Sequence, residues 1–195
     1  SFTVGNRDRF RSLSALNLPA FADISTKISY LDSSVDGYVD NSGSGNDYGE
    51  DEQWAGRLAL RWEPSDTILV DYAFGSGEVK STPVYYQNNL LASETYPTSP
   101  HKRSSRPADL PTSHTDNTRH FLTGSWDVND KLTLKSISGY SDLDTKFYQD
   151  YLDAAFIASY YKSADKIDSH EWSQELQAIG SGLDQRLEYV AGLYY

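Results

Sequence analysis

The residues best suited to chemistry gather where the strand-like pattern of this chain fails. Between 142 and 170 stand Tyr148, Tyr151, Phe156, Tyr160 and Tyr161, interleaved with Asp142, Asp144, Asp150 and Asp153. Tyr85 and Tyr86 stand in a second such stretch. A ring with a polar edge stacks on sugars or on flat ligand rings while its hydroxyl stays wet. The six tyrosines 85, 86, 148, 151, 160 and 161 are therefore candidate ligand contacts. The ordinary alternative is that such rings pack a loop upon itself or extend an aromatic girdle.

Other constellations are weaker. His101-Lys102-Arg103-Ser104-Ser105-Arg106 is the one basic cluster and would attract an anionic ligand or phosphate, although its Ser and Pro surroundings suit a solvated loop tip. Asp40, Ser42, Ser44, Gly45 and Asp51 imitate calcium-loop spacing, but strand-like flanks and the missing final Glu favour a plain acidic loop. The histidines are His101, His114, His120 and His170. There is no G-x-S-x-G elbow and no H-E-x-x-H, and Gly75-Ser76-Gly77 leads to Glu78 rather than to a phosphate-binding lysine. No enzymatic activity, cofactor or metal site is expected.

The bulk composition narrows the partners. Net charge is −11, which disfavours nucleic acid. Cysteine is absent, so neither disulfides nor a thiolate metal site can form. Hydrophobic residues make up only 38%, yet aromatics reach 13% with 15 tyrosines. That combination suits a sheet whose two faces meet different solvents. No apolar run approaches the roughly 20 residues of a membrane-spanning helix. The chain opens SFTVGNRDRF without a charged stretch leading into an apolar core, and it closes GLYY inside a strand-like run. Both ends read as those of a mature or partial chain.

The elements that must carry these residues are strands. Eight strand-like runs cover 2–16, 23–31, 53–62, 67–74, 117–128, 131–141, 171–180 and 186–195. Their connections alternate short and long. Residues 17–22, 63–66, 129–130 and 181–185 are short; 32–52, 75–116 and 142–170 are long, with five of the seven prolines in 75–116. Sandwiches favour short connections throughout. Barrels of the outer membrane alternate short turns with long external loops.

Residues 53–62, QWAGRLALRW, show the pattern most clearly. Trp54, Leu58, Leu60 and Trp62 share one face, and Arg57 and Arg61 the other. The two tryptophans are about 27 Å apart at roughly 3.3 Å per residue. A tilt of about 40° reduces this to around 20 Å along a membrane normal. The tryptophans would mark two interfaces with lipid between them, leaving Arg57 and Arg61 facing a wet lumen. Ile68, Val70, Tyr72 and Phe74 alternate in the same way. Phe121 and Ile137 break the alternation of their runs, as a bulge would.

The order of short motifs resembles the TonB-dependent outer-membrane receptors. They are Gly5-Asn6-Arg7-Asp8-Arg9, Leu18-Pro19, Asp36-Gly37-Tyr38-Val39-Asp40-Asn41, Gly56-Arg57-Leu58 running to Arg61-Trp62-Glu63-Pro64-Ser65-Asp66, Ser136-Ile137-Ser138-Gly139-Tyr140, Ser173-Gln174-Glu175-Leu176-Gln177 and Tyr189-Val190-Ala191-Gly192-Leu193-Tyr194-Tyr195. The resemblance spans nearly the whole chain.

It implies an all-β fold: residues 1–195 as an antiparallel transmembrane β-barrel segment of about eight strands. That segment would be an open, curved part of a plugged barrel of about 22 strands. It further implies a receptor in the outer membrane of a Gram-negative bacterium, importing a bulky, scarce nutrient such as an iron–siderophore complex. Lipid would surround it, and the TonB complex would act through an N-terminal region and plug not included in this sequence. Two alternatives remain open at this point: a complete small eight-stranded barrel acting as adhesin or anchor, and a soluble glycan-binding β-sandwich. Pairing of the first strand with the last would identify the small barrel.

Overall fold

The computed structural model describes residues 1–42, 46–86, 103–104, 110–150, 162–183 and 186–195. Nine strands form one antiparallel sheet: β1 (Phe2–Gly5), β2 (Arg9–Phe21), β3 (Ile24–Val35), β4 (Asp51–Ser65), β5 (Ile68–Ser81), β6 (Ser113–Asn129), β7 (Leu132–Asp150), β8 (Lys162–Gly182) and β9 (Leu187–Tyr194). Each pairs only with its neighbours in the chain, in the order β1 to β9. The first strand does not pair with the last, so the sheet is open and the closed eight-stranded barrel is set aside. No second sheet lies against it among the described residues, which sets aside the sandwich.

The expected count of about eight becomes nine because the run 2–16 folds back on itself. Arg7 and Asp8 take φ values of 62° and 45°, and Gly5 pairs with Arg9. Residues 17–22, expected as a connection, instead belong mostly to β2. Pro19 is accommodated where the register shifts between Leu18 and Phe21, beyond the reach of short β1. The turn itself is Ala22-Asp23, both left-handed at φ 50° and 62°, as a two-residue hairpin of matching twist requires. At the β6–β7 turn the Asn129 side chain accepts a hydrogen bond from the Lys131 N–H at 2.9 Å, an Asx turn.

The strands outrun the periodic segments seen in the sequence. β6, β7 and β8 contain 17, 19 and 21 residues. A tilted strand needs about 9–11 to cross a bilayer. The excess lies at the long-loop end, where Asp, Ser and Lys replace the apolar alternation but backbone pairing continues to Asp150 and Lys162.

Register divides the side chains into two faces. One hydrogen-bonded row reads Leu16, Ile28, Leu58, Phe74, His120, Tyr140 and Trp172 from β2 to β8. Another reads Ile24, Trp62, Val70, Gly124, Ser136, Leu176 and Leu193 from β3 to β9. This apolar face is uncovered; Leu16 is 57% exposed and Trp172 56%. The only buried hydrophobic residues described are Val39, Tyr48 and Leu110, all outside the strands.

Phe121 and Ile137 sit on the other face without any bulge, because the register runs unbroken from His114 to Asp127. Gly139 lies directly opposite Phe121; a Cβ there would stand in ordinary contact with Phe121 Cε1, at 3.6 Å, but would crowd Ser173 Oγ at 2.9 Å.

Aromatic residues bound the apolar face along two sloping lines. On the long-loop side, Trp54 on β4 lies four positions farther out than Leu58 (54 to 58), whose row contains Tyr140 and Trp172. On the short-turn side, Trp126 lies one same-face step (Val70 to Ile68) beyond the row of Trp62, and Tyr189 on β9 a further step (Ala178 to Gly180) beyond that. Both lines descend in the same direction across the sheet. Level bands crossing tilted strands must shift in this way from strand to strand.

Candidate functional site

The face opposite the tryptophans is polar and bears Lys27, Arg57, Arg61, Asp71, Arg119 and Thr123. Arg61 grips Asp71 across β4 and β5 by a two-pronged contact, Nε to Oδ1 at 2.8 Å and Nη2 to Oδ2 at 2.9 Å. Arg57 and Arg119 lie in one row, one on each side of Gly75. Lys27, Arg57, Arg61 and Asp71 border a hollow of about 590 Å³ floored by Ala59 and Ala73.

A second region is built by the first two long loops. Tyr48 is 1% exposed and packs with Val39 and Leu110. Tyr85 meets Tyr48 edge-on, with ring centroids 5.1 Å apart, and its N–H donates to Tyr38 Oη at 3.0 Å. Gly49, at φ +75°, lies so close under Tyr38 that a Cβ would come within 1.9 Å of its Cε1. Ser104 N–H donates to the Asp40 carbonyl at 2.8 Å, and Ser42 N–H donates to Ser104 Oγ at 3.0 Å. The loops are thus joined to each other. Burial pushes the Glu50 carboxyl above the usual range, helped by the negative charges of Glu52, Asp36 and Asp47. Burial also raises Asp51, against the opposing pull of Arg9.

The proposed tyrosine contacts occupy different settings. Tyr85 is part of the loop core, whereas Tyr86 is exposed at 44%. Tyr148 is on β7, on the same face as Tyr140, and its N–H donates to Ser113 Oγ at 2.9 Å. Tyr151, Tyr160 and Tyr161 lie outside the described residues. Of the basic cluster 101–106 only Arg103 and Ser104 are described, Arg103 bridging to Asp40 through the backbone. In the calcium-like spacing, Asp40 and Ser42 join the loop contacts while Asp51 begins β4; Ser44 and Gly45 are outside the described residues.

Sequence reasoning missed two histidine–carboxylate groups on the outward ends of the strands. His114 stands between Glu78, with Nδ1 3.2 Å from Oε1, and Asp116. The donor atoms of these three residues lie within 4.8 Å of one another, a spacing that could hold a metal ion. A cation is already present there: Lys80 Nζ is 2.8 Å from Glu78 Oε1, while Trp54 Nε1 donates to Oε2 at 2.9 Å. His170 likewise stands between Asp142 at 3.2 Å and Asp168 at 3.1 Å. The spacing His114-x-Asp116 and Asp168-x-His170 was the available signal, since i and i+2 share a strand face. Their cross-strand partners Glu78 and Asp142 required the register.

No family model and no curated protein matches the chain. Two solved structures do. The ferric yersiniabactin uptake receptor FyuA from Yersinia pestis aligns with a TM-score of 0.72 and 20% identity, over 98% of this chain and 29% of its own. The ferric-catecholate import receptor Fiu from E. coli K12, in its open form, aligns with a TM-score of 0.70 and 9% identity, over 99% of this chain and 32% of its own. The chain therefore spans about a third or less of the length of these receptors. At such identities the likeness is one of fold: this chain has the open-sheet architecture of part of a TonB-dependent receptor barrel.

Proposed function

We propose that the chain is a stretch of barrel wall from a TonB-dependent receptor in the outer membrane of a Gram-negative bacterium. The receptor imports a bulky, scarce nutrient of the iron–siderophore kind, and it does no covalent chemistry. The observation that carries this reading is the uncovered apolar face between two sloping aromatic lines. Such a face needs lipid, and the slope is that of strands tilted within a barrel. The two uptake receptors of like fold support the transport role.

In this reading Arg57 and Arg61 face the lumen, and the long loops stand outside the cell. Tyr86, Tyr151, Tyr160 and Tyr161 offer rings to the incoming ligand; Tyr85 braces the loop that presents Tyr86, while Tyr148, sharing the face of Tyr140, belongs to the outer surface of the wall. Plug and TonB contact belong to an N-terminal region outside this sequence. The test is growth under iron limitation of a strain lacking the gene, supplied with single ferric chelates. Failure to use one chelate, restored by the gene, is the expected result. Unchanged growth and uptake across iron chelates, cobalamin and oligosaccharides would overturn the import role.

A further inference from the structure

The longest connection, 82–112, leaves from β5 and returns to β6, and the His114 cluster sits at its root. Glu78 stands near the end of β5, and His114 and Asp116 near the start of β6. The register sets Glu78 opposite Asp116 and Lys80 opposite His114, all on the face of Trp54. One donor atom from each of Glu78, His114 and Asp116 lies within 4.8 Å of the others. Glu78 is oriented from behind: Trp54 Nε1 donates to Oε2 at 2.9 Å, while Oε1 stands 3.2 Å from His114 Nδ1. The flanking strands add Glu52 on β4 and Asp144 and Lys146 on β7. Across these two rows, from β4 to β7, four carboxylates face two lysines and one imidazole. Lys80 Nζ, 2.8 Å from Glu78 Oε1, brings a single charge on a long, half-exposed side chain.

We infer that Glu78, His114 and Asp116 form a binding site for a divalent transition-metal ion such as Zn²⁺, which fastens β5 to β6 beneath the longest loop. An imidazole with two carboxylates suits Zn²⁺ better than Ca²⁺ or Mg²⁺, which take all-oxygen shells. Three protein donors leave the remaining position to water, and the hydrogen bond from Trp54 is the outer support that fixes a ligand's direction. Lys80 must swing aside, and an exposed ion pair of this kind resists little. The ion joins two strands whose connection is the longest in the chain, and a clip across a long loop removes the most chain freedom. In the barrel proposed above, the cluster lies on the outer side of the wall, beyond the aromatic line that starts at Trp54 and descends toward β8. Neither a plug nor any further strand faces it there, and its flanking strands β4 and β7 are both in place. The site rests on the strand register and not on which nutrient is imported.

The test is titration of the full-length protein in detergent, first stripped with a chelator, with Zn²⁺ alone against a chromophoric metal indicator. Excess Mg²⁺ is present throughout to fill sites that need only carboxylates. Wild type should bind one equivalent more than His114→Gln, and Glu78→Gln should lose that same equivalent. Lys80→Met removes the competing cation and should tighten the equivalent about tenfold. A gain in affinity cannot come from misfolding, so this variant guards against a His114→Gln protein that merely fails to fold. Equal stoichiometry in wild type and His114→Gln would show adventitious binding to an acidic surface only and would overturn the site. An affinity unmoved by Lys80→Met would also overturn it, because the amine and the ion would then not share Glu78. Binding is read on the purified protein without any nutrient, so this proposal and the import role fail separately.

Discussion

Tyr189 on β9 lies across Gly180 on β8. A Cβ on Gly180 would come 2.5 Å from Tyr189 Oη and 2.6 Å from the Lys131 carbonyl oxygen. The ring covers backbone that a side chain would otherwise cover, and the β6–β7 turn closes the other side of the same slot. Gly180→Ala should therefore destabilise the sheet by about 1–3 kcal/mol, the usual range for overpacking. Denaturant melting of the folded protein in detergent would measure it. Tyr189→Phe, which keeps the ring, should behave as wild type.

All four tryptophans, Trp54, Trp62, Trp126 and Trp172, sit on the apolar face. In bilayers of brominated lipid their fluorescence should be quenched together. Bromine near the headgroup should quench Trp54 and Trp62 more than bromine near the chain ends, read from single-tryptophan variants. Aqueous iodide quenching all four strongly would contradict lipid contact.

Leu58→Arg places a charge in the middle of that face, where about 2–4 kcal/mol of destabilisation is expected in a bilayer. Ala59→Gln, one residue away on the polar face, should be nearly neutral. Comparing the two by unfolding in lipid vesicles assigns the faces directly, and equal effects would refute the assignment.

Tyr48 anchors the joined loops. Tyr48→Ala should loosen this local structure by about 3 kcal/mol, since a large buried ring is lost. Limited proteolysis within 36–50 should accelerate while the melting of the sheet stays unchanged.

Glu50 gives the same loops a pH dependence. Its carboxyl is raised in the folded loop, so the folded form resists the ionisation that the unfolded form accepts. The sign follows: loop structure is most favoured below the ordinary carboxylate value and weakens as pH rises through the window up to the raised value. Glu50→Gln should flatten this response and protect the loop at the upper end. Proteolysis rates compared between about pH 4 and about pH 7 would show it. A slope unchanged by the substitution would assign the effect to another group.

Much of the wall was legible in the residues themselves. β4 and β5 alternate cleanly because one face meets apolar surroundings and the other water, and that contrast is written every second residue. The hairpin at Asn6–Asp8 was hidden because Arg7 and Asp8 adopt left-handed backbone without a glycine to announce it. Phe121 looked like a slip in register because its partner, Gly139, lies on another strand. The site was less legible for the same reason. Arg57 was visible on its face, but Arg119 joins it only through the pairing of β5 with β6, across a long connection whose length says nothing about register. Tyr85 resembled a free ring until Tyr48, far away in sequence, was seen to seat it.

The neighbour-only order of the nine strands also bears on how the wall is assembled. Every pairing among the described strands closes between chain neighbours, so within this stretch no pairing waits for a distant partner to be synthesised or delivered. The sheet can be laid down as successive hairpins, each using the exposed edge of the last as its template. The slowest closures are those across the longest connections, 82–112 above all, because loop entropy grows with length. The joined loops at Tyr48 and Leu110 lie at that junction and draw the ends of β4, β5 and β6 together. Growth of the wall is therefore processive, and its timing is set by the loops rather than by the strands.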